Sequence, residues 1–284
     1  MREAVPYAQE TSFIGAPYLP GETERARDIV LRLERVSLRY RLPNERLSSF
    51  KEYAIRRLQG RVRWVDVSAL RDIELTVRRG DVLGIIGRNG SGKSSLLRLV
   101  AGVLRPTSGR VWLKGWPVSP LLEIGAGFHT DLTGRENVYL NATLLGHPKK
   151  VIDKRFNEIV RFAELAEVID APLRTYSTGM MMRLGFAVAT AWDPTILLVD
   201  EVLAVGDEAF QVKCGARINS FRERGVTVLL VSHDLSLVRT LCSRAIWLDA
   251  GSIRAAGSPD EVADLYHTAV TAGAVADSLD AGTR

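Results

Sequence analysis

The segment Gly87-Arg88-Asn89-Gly90-Ser91-Gly92-Lys93-Ser94 constrains this chain more than any other. It fits GxxxxGK[ST], follows the apolar run Val82 to Ile86 and opens the helical run SSLLRLVAG, the strand–loop–helix context in which that pattern forms a phosphate-binding loop. Glycines are required because the backbone must wrap a phosphate closely enough for its N–H groups to face the oxygens. The helix start adds partial positive charge. Lys93 is expected to reach β- and γ-phosphates, and the Ser94 hydroxyl to ligate Mg²⁺.

A second apolar run, Ile196 to Val199, ends in Asp200-Glu201. A strand ending in two carboxylates is often an ordinary solvated edge. Downstream of a phosphate loop it reads instead as a magnesium and base site, with Asp200 as a hard oxygen ligand and Glu201 polarising the attacking water. Short β-rich runs alternating with helical stretches predict an α/β fold whose mostly parallel sheet is flanked by helices. Alternating apolar positions over Val30 to Tyr40 and Ile73 to Val77 predict an N-terminal antiparallel β subdomain.

Composition limits the remaining choices. With 284 residues, 46% hydrophobic and 25% charged, the chain can bury a full core as one globular domain. Its longest apolar runs are strand-sized, against the ~18 to 20 residues a membrane helix needs, and the N-terminus lacks a secretory pattern. The expected location is therefore the cytosol. Cys214 and Cys242 have no CxxC spacing and read as reduced structural thiols. A net charge of +5 suits a nucleic acid or an anionic membrane surface and does not choose between them.

Many P-loop proteins share the phosphate loop and the Asp200-Glu201 pair, and the segment Tyr176-Ser177-Thr178-Gly179-Met180-Met181-Met182-Arg183-Leu184 chooses among them. It resembles the LSGGQ signature of ATP-binding cassette (ABC) proteins, with Thr178 in place of one glycine, Met180 in place of the glutamine, and Ser177, Gly179 and Arg183 retained. Without the family, a Met-rich helical face reads as core. The resemblance implies ATP held by the phosphate loop through Ser95, and in trans, across a homodimer, by Ser177, Thr178, Gly179 and Met180. It also implies a D-loop aspartate at Asp207 and a catalytic switch histidine at His233, in Val231-Ser232-His233-Asp234. Tyr40 is expected against adenine, with Trp64 as its rival. In the Q-loop region, LLEIGAGFHTDLTGREN offers Glu123 in place of the usual glutamine, a further candidate near Mg²⁺.

EIGAGFHTDLTGREN, YSTGM and DEVLAVGDEAFQVKC together resemble the ATPases of polysaccharide exporters, the Wzt and teichoic-acid class. That class implies a membrane-bound ABC-2 permease partner, a peripheral position on the cytoplasmic face and a lipid-linked glycan as cargo. A galactan is the most specific expectation. The alternative is a soluble ABC ATPase acting on nucleic acid, with the basic stretch Arg56 to Arg63 as its patch. Neither the coiled coil nor the second cassette of such proteins is apparent in this sequence.

The expected organisation is an extension over 1–28, a nucleotide-binding domain over 29–267 and a tail over 268–284. The domain includes a helical insertion near 44–60 and a helical signature subdomain near 120–190. The insertion should bear Leu47, Phe50, Ala54 and Leu58 on one face, between an Asn44 cap and a Gly60 stop.

Overall fold

The computed structural model describes residues 28–43, 64–114, 118–121, 125, 127–200 and 207–281. The expected helix at 44–60 lies outside them, as do Glu123, Glu201 and the side chain of Trp64.

Two sheets organise the chain. Strands β1 (Ile29–Pro43), β2 (Trp64–Arg78) and β4 (Ser108–Leu113) form an antiparallel sheet in the order β2-β1-β4. A second sheet runs β5-β6-β7-β3-β8-β9, built from β5 (Val118–Leu121), β6 (Ile196–Asp200), β7 (Thr227–Val231), β3 (Val82–Ile86), β8 (Arg244–Asp249) and β9 (Ser252–Gly257). All its pairings are parallel except that of β9 with β8. The central strands are apolar because both faces are covered. In β6, Ile196 and Leu198 face the core shared with the antiparallel sheet, while Leu197 and Val199 face a second cluster with Phe186 and Phe210. β7 repeats this alternation with Leu229 and Val231 against Val228 and Leu230.

Helix α1 (Lys93–Val100) buries Leu96, Leu97, Leu99 and Val100 in the core joining the two sheets. Its apolar residues share one broad side, which the two sheets enclose, while Ser94, Ser95 and Arg98 lie on the other. The helical subdomain comprises α2 (Gly134–Leu144), α3 (Lys149–Ala163) and α4 (Thr178–Ala189), with its own apolar cluster around Ile152, Ile159, Leu173 and Leu184. Thr133 and Glu136 make a capping box at the start of α2. Helices α5 (Glu208–Glu223) and α6 (Leu235–Leu241) connect the later strands.

The last helix, α7 (Pro259–Ala281), runs from the expected domain into the expected tail, so that residues 268–281 are helical. Its N-terminal half is anchored by Arg239 of α6, which contacts Asp260 at 2.7 Å and Asp264 at 2.6 Å, and by Tyr266 packed edge-on to Trp247. The strands are also longer than expected. The irregular register of β1 against β2, with Arg35 and Asp72 in left-handed conformations, interrupts the period-two pattern that would have marked their ends.

Candidate nucleotide site

The C-terminal end of β3 delivers the phosphate loop. A methyl group on Gly87 would meet the Leu248 carbonyl oxygen at 2.2 Å and Ser91 Oγ at 2.7 Å, so only glycine fits. The β8–β9 turn braces the loop from below: Gly251 N–H donates to the Ser91 carbonyl at 2.9 Å, and Arg71 N–H donates to the Gly251 carbonyl at 2.7 Å. Arg88, Asn89 and Gly90 form the exposed crest. Lys93 is buried, and its ammonium donates to the carbonyls of Gly87 at 2.7 Å and Arg88 at 3.1 Å, which holds the charge against the loop.

Ser91 Oγ is buried with no hydrogen-bond partner among the described residues. A buried hydroxyl in that state costs ~1 to 3 kcal/mol, and a phosphate oxygen is the acceptor that suits it. α1 begins at Gly92 in the left-handed conformation without a side-chain cap, so its first N–H groups and the exposed Ser94 hydroxyl present donors at the same point. The residues therefore fit a polyphosphate.

β7 and β6 lie beside β3 in the same parallel sheet, so the chain leaving each emerges at the same edge. Asp200 ends β6 in register with Val231. The β6 axis is about 10 Å from β3 at two strand spacings. His233 follows β7, between the other two, and is exposed. Its turn is fixed on both sides. Asp234 N–H donates to Ser232 Oγ at 3.0 Å, and the Asp234 carboxylate caps α6 by accepting from Ser236 N–H at 2.8 Å. The Ser236 hydrogen bond and the cap hold the Asp234 carboxyl below its ordinary range. Tyr40 joins from the antiparallel sheet, its hydroxyl 3.1 Å from Ser95 Oγ, which brings the ring to the start of α1. β5 ends at Leu121, paired with Val199, so its own C-terminal end lies at the same edge.

The signature residues are elsewhere. Ser177 caps α4 by accepting from Met180 N–H at 3.2 Å, while Thr178 is exposed and Gly179 half-buried. Tyr176 anchors this turn from below. It is buried, its hydroxyl donates to the Val168 carbonyl at 2.6 Å, and burial pushes the phenol pKa up. Ser177 to Met180 line an open cleft of about 890 Å³ with Glu164, Glu167 and Asp207.

Sequence reasoning missed the groups that shape these loops. Asn137 is fully buried and donates to the carbonyls of His129, Leu132 and Thr133 while accepting from His129 N–H, which folds the chain ahead of α2. The neighbouring T-x-x-E text was a readable signal for the cap, but nothing local marks the buried asparagine. Both thiols behave as expected of structural cysteines, since burial pushes Cys214 and Cys242 up to about 12.

A phosphate loop at a parallel-sheet edge, with a histidine after the adjacent strand β7 and an aspartate ending the next strand, β6, defines a P-loop nucleotide-binding protein. Residues 70–204 match the family model described as ABC transporter. The chain is 50% identical over 202 residues to the O-antigen export system ATP-binding protein RfbB of Klebsiella pneumoniae, covering 71% of this chain and 82% of that one. It is 47% identical to the Myxococcus xanthus protein of the same name and 38% identical to the teichoic acids export ATP-binding protein TagH of Bacillus anthracis. These matches cover 83% of this chain in each case, but only 54% and 42% of those proteins. In fold it is similar to the dimeric ATP-binding cassette MJ0796 bound to ADP and Pi, with a TM-score of 0.64 at 23% identity over 81% of this chain and 98% of that one. The chain belongs to the ABC transporter ATP-binding family and is an ATPase of that family.

Proposed function

We propose that this protein is the ATP-hydrolysing subunit of an exporter for lipid-linked polysaccharide, of the O-antigen, teichoic-acid or galactan type. It works as a homodimer on the cytoplasmic face of the membrane with two copies of a separate ABC-2 permease. The observation that carries this reading is the similarity to O-antigen export ATPases across most of the cassette, signature included. No helix among the described residues is long and apolar enough to cross a membrane. Leu140 and Leu144 stand exposed on α2, Leu144 close to Gly127, and offer the apolar contact such a partner needs. The basic stretch Arg56 to Arg63, on which the nucleic-acid alternative rests, lies outside the described residues.

Each residue has a role that follows from its place. The loop amides from Gly87 to Ser95 bind the phosphates, and Lys93 neutralises the charge of the β- and γ-groups. Ser94 and Asp200 hold Mg²⁺, with Glu123 as a further candidate. When bound, the ion neutralises charge on the phosphates and orients them. Glu201 takes the proton of the attacking water, and His233 orients that water and the γ-phosphate. Tyr40 lies against the adenine ring. Ser177, Thr178, Gly179 and Met180 of the second copy close the site, and Asp207 lies at the seam between copies.

Replacing Glu201 with Gln should retain ATP binding, lower turnover at least ~100-fold, as loss of a general base does, and accumulate an ATP-bound dimer. Near-parent turnover would reject the role. Co-purification of the full chain with an ABC-2 permease supports the export reading; co-purification with RNA or DNA instead would overturn it.

A further inference from the structure

Arg183 lies six residues beyond Ser177 on α4, and its side chain is only 20% exposed. Its guanidinium spans two carboxylates on two other helices. Nη1 donates to Glu164 Oε2 at 3.0 Å, and Nη2 donates to Asp207 Oδ2. Glu164 is the left-handed residue that ends α3, and it is also bound by Lys213 of α5. Asp207 is the N-cap of α5, where its other oxygen accepts from Phe210 N–H at 2.9 Å. The guanidinium carbon stands 5.2 Å from the Phe210 ring centroid.

Behind this rim, one aromatic residue from each helix meets the other two. Phe162 of α3, Phe186 of α4 and Phe210 of α5 have centroids 6.0, 5.6 and 6.2 Å apart. The signature helix is thus joined to the start of α5 by packing underneath and by one arginine at the surface. Packing resists separation of the helices but leaves them free to slide. A planar fork bound to two fixed carboxylates sets their register. Without Arg183, Glu164 and Asp207 would face each other as like charges, with Lys213 binding only one of them.

We propose that Arg183 is a positioning residue for ATP hydrolysis, binding the signature turn to Asp207 so that Ser177 and the N-terminus of α5 reach the partner's nucleotide as one rigid edge. This rests on the reading of Ser177 as a group that closes the other copy's site. Arg183 itself touches no nucleotide, and the phosphate loop of its own chain is built from other elements. Its loss should therefore appear in turnover and not in nucleotide binding.

The test is a double-mutant cycle on the full chain, read as kcat and as ATP affinity well below the unfolding temperature. Asp207→Asn removes the charge yet keeps the cap, because Asn caps as well as Asp. Arg183→Gln should lower kcat ~10-fold, as misplacement of a reacting edge does, with ATP affinity within about twofold of the parent. Arg183→Lys should recover little, since one ammonium cannot span both carboxylates. The double variant should fall no further than the worse single one. The proposal is overturned if Arg183→Gln keeps near-parent kcat, if the two losses multiply in full, or if the loss vanishes on cooling in step with recovered stability. An inactive parent chain would instead defeat the ATPase reading itself.

Discussion

A methyl group on Gly87 would press against the Leu248 carbonyl at 2.2 Å, whereas one on Gly179 would meet nothing nearer than Ser177 Oγ, at 3.8 Å. These two glycines belong to the two halves of the proposed site, and the contrast separates them. The phosphate loop is complete within its own chain, braced by the β8–β9 turn and carried on a strand buried along its whole length. The signature turn is held only from beneath, by Tyr176 and Arg183, and its outer surface is an open cleft. A half-site whose outer surface lies open among the described residues is shaped for something supplied by another chain. Substitutions should therefore damage the phosphate loop as architecture and the signature turn as chemistry.

The largest effect is expected at Gly87. Replacing it with Ala forces β3 away from β8, because a carbonyl held in the sheet cannot retreat as a flexible side chain can. The cost should be ~3 kcal/mol or more, at the upper end of overpacking a core, and ATP binding should be lost with it. Gly90 is the control. It has φ 78° but nothing within 4 Å of an added methyl group, so Ala there should cost only the ~1 to 3 kcal/mol of a strained backbone. Thermal unfolding together with ATP titration reads both. Equal losses at the two positions would show that conformation alone, and not the brace from β8, defines the loop.

The next largest effect should fall on turnover alone. Ser177→Arg puts bulk and charge on the exposed turn while leaving the Gly87–Ser94 loop of the same chain untouched, so ATP affinity should hold while hydrolysis falls at least ~100-fold, as when an anion-stabilising donor is lost. Mixing this variant with Lys93→Ala sharpens the comparison. A mixed dimer contains one composite site with both halves intact, and recovered activity would demonstrate that the halves come from different chains. A loss of ATP affinity in Ser177→Arg alone would break the comparison, since the turn would then be acting within its own subunit.

What the sequence made legible follows the same division. The phosphate loop, Asp200 and His233 could be read because each is a short local text at the end of a buried strand, and parallel topology then gathers strand ends at one edge without further instruction. Ser177 was legible as part of a motif, and its capping role follows from serine chemistry. The bracing was not legible. Tyr40 reaches Ser95 across 55 positions, Arg183 reaches Glu164 across 19, and the β8–β9 turn meets the loop from far along the chain. Such pairings leave no periodic trace. The helix over residues 268–281 was not legible either, because Ala, Gly and Asp marked only a tail, whereas the alanine-rich stretch continues a helix anchored upstream by Arg239 and Trp247.

The smallest effect, and the one with an inverted sign, is expected at Gly179. It lies in the first turn of α4 without the positive φ that would demand glycine, and an added methyl group would make ordinary contact only. Alanine is the better helix former by up to ~1 kcal/mol, so Gly179→Ala should leave the isolated chain as stable as the parent or raise its Tm by roughly 2 °C. Its ATP affinity should also be unchanged. Turnover should nevertheless fall, because the methyl group stands on the backbone that must approach the partner's phosphate closely. A variant that is more stable, binds ATP normally and hydrolyses it slowly would isolate the glycine's contribution to the assembled site. If the same substitution lowers Tm, the turn is packed within its own chain and the contrast with Gly87 fails. If stability rises and turnover is unchanged, no phosphate comes within reach of Gly179, and the closing group must be sought elsewhere on the cleft lined by Glu164, Glu167 and Asp207.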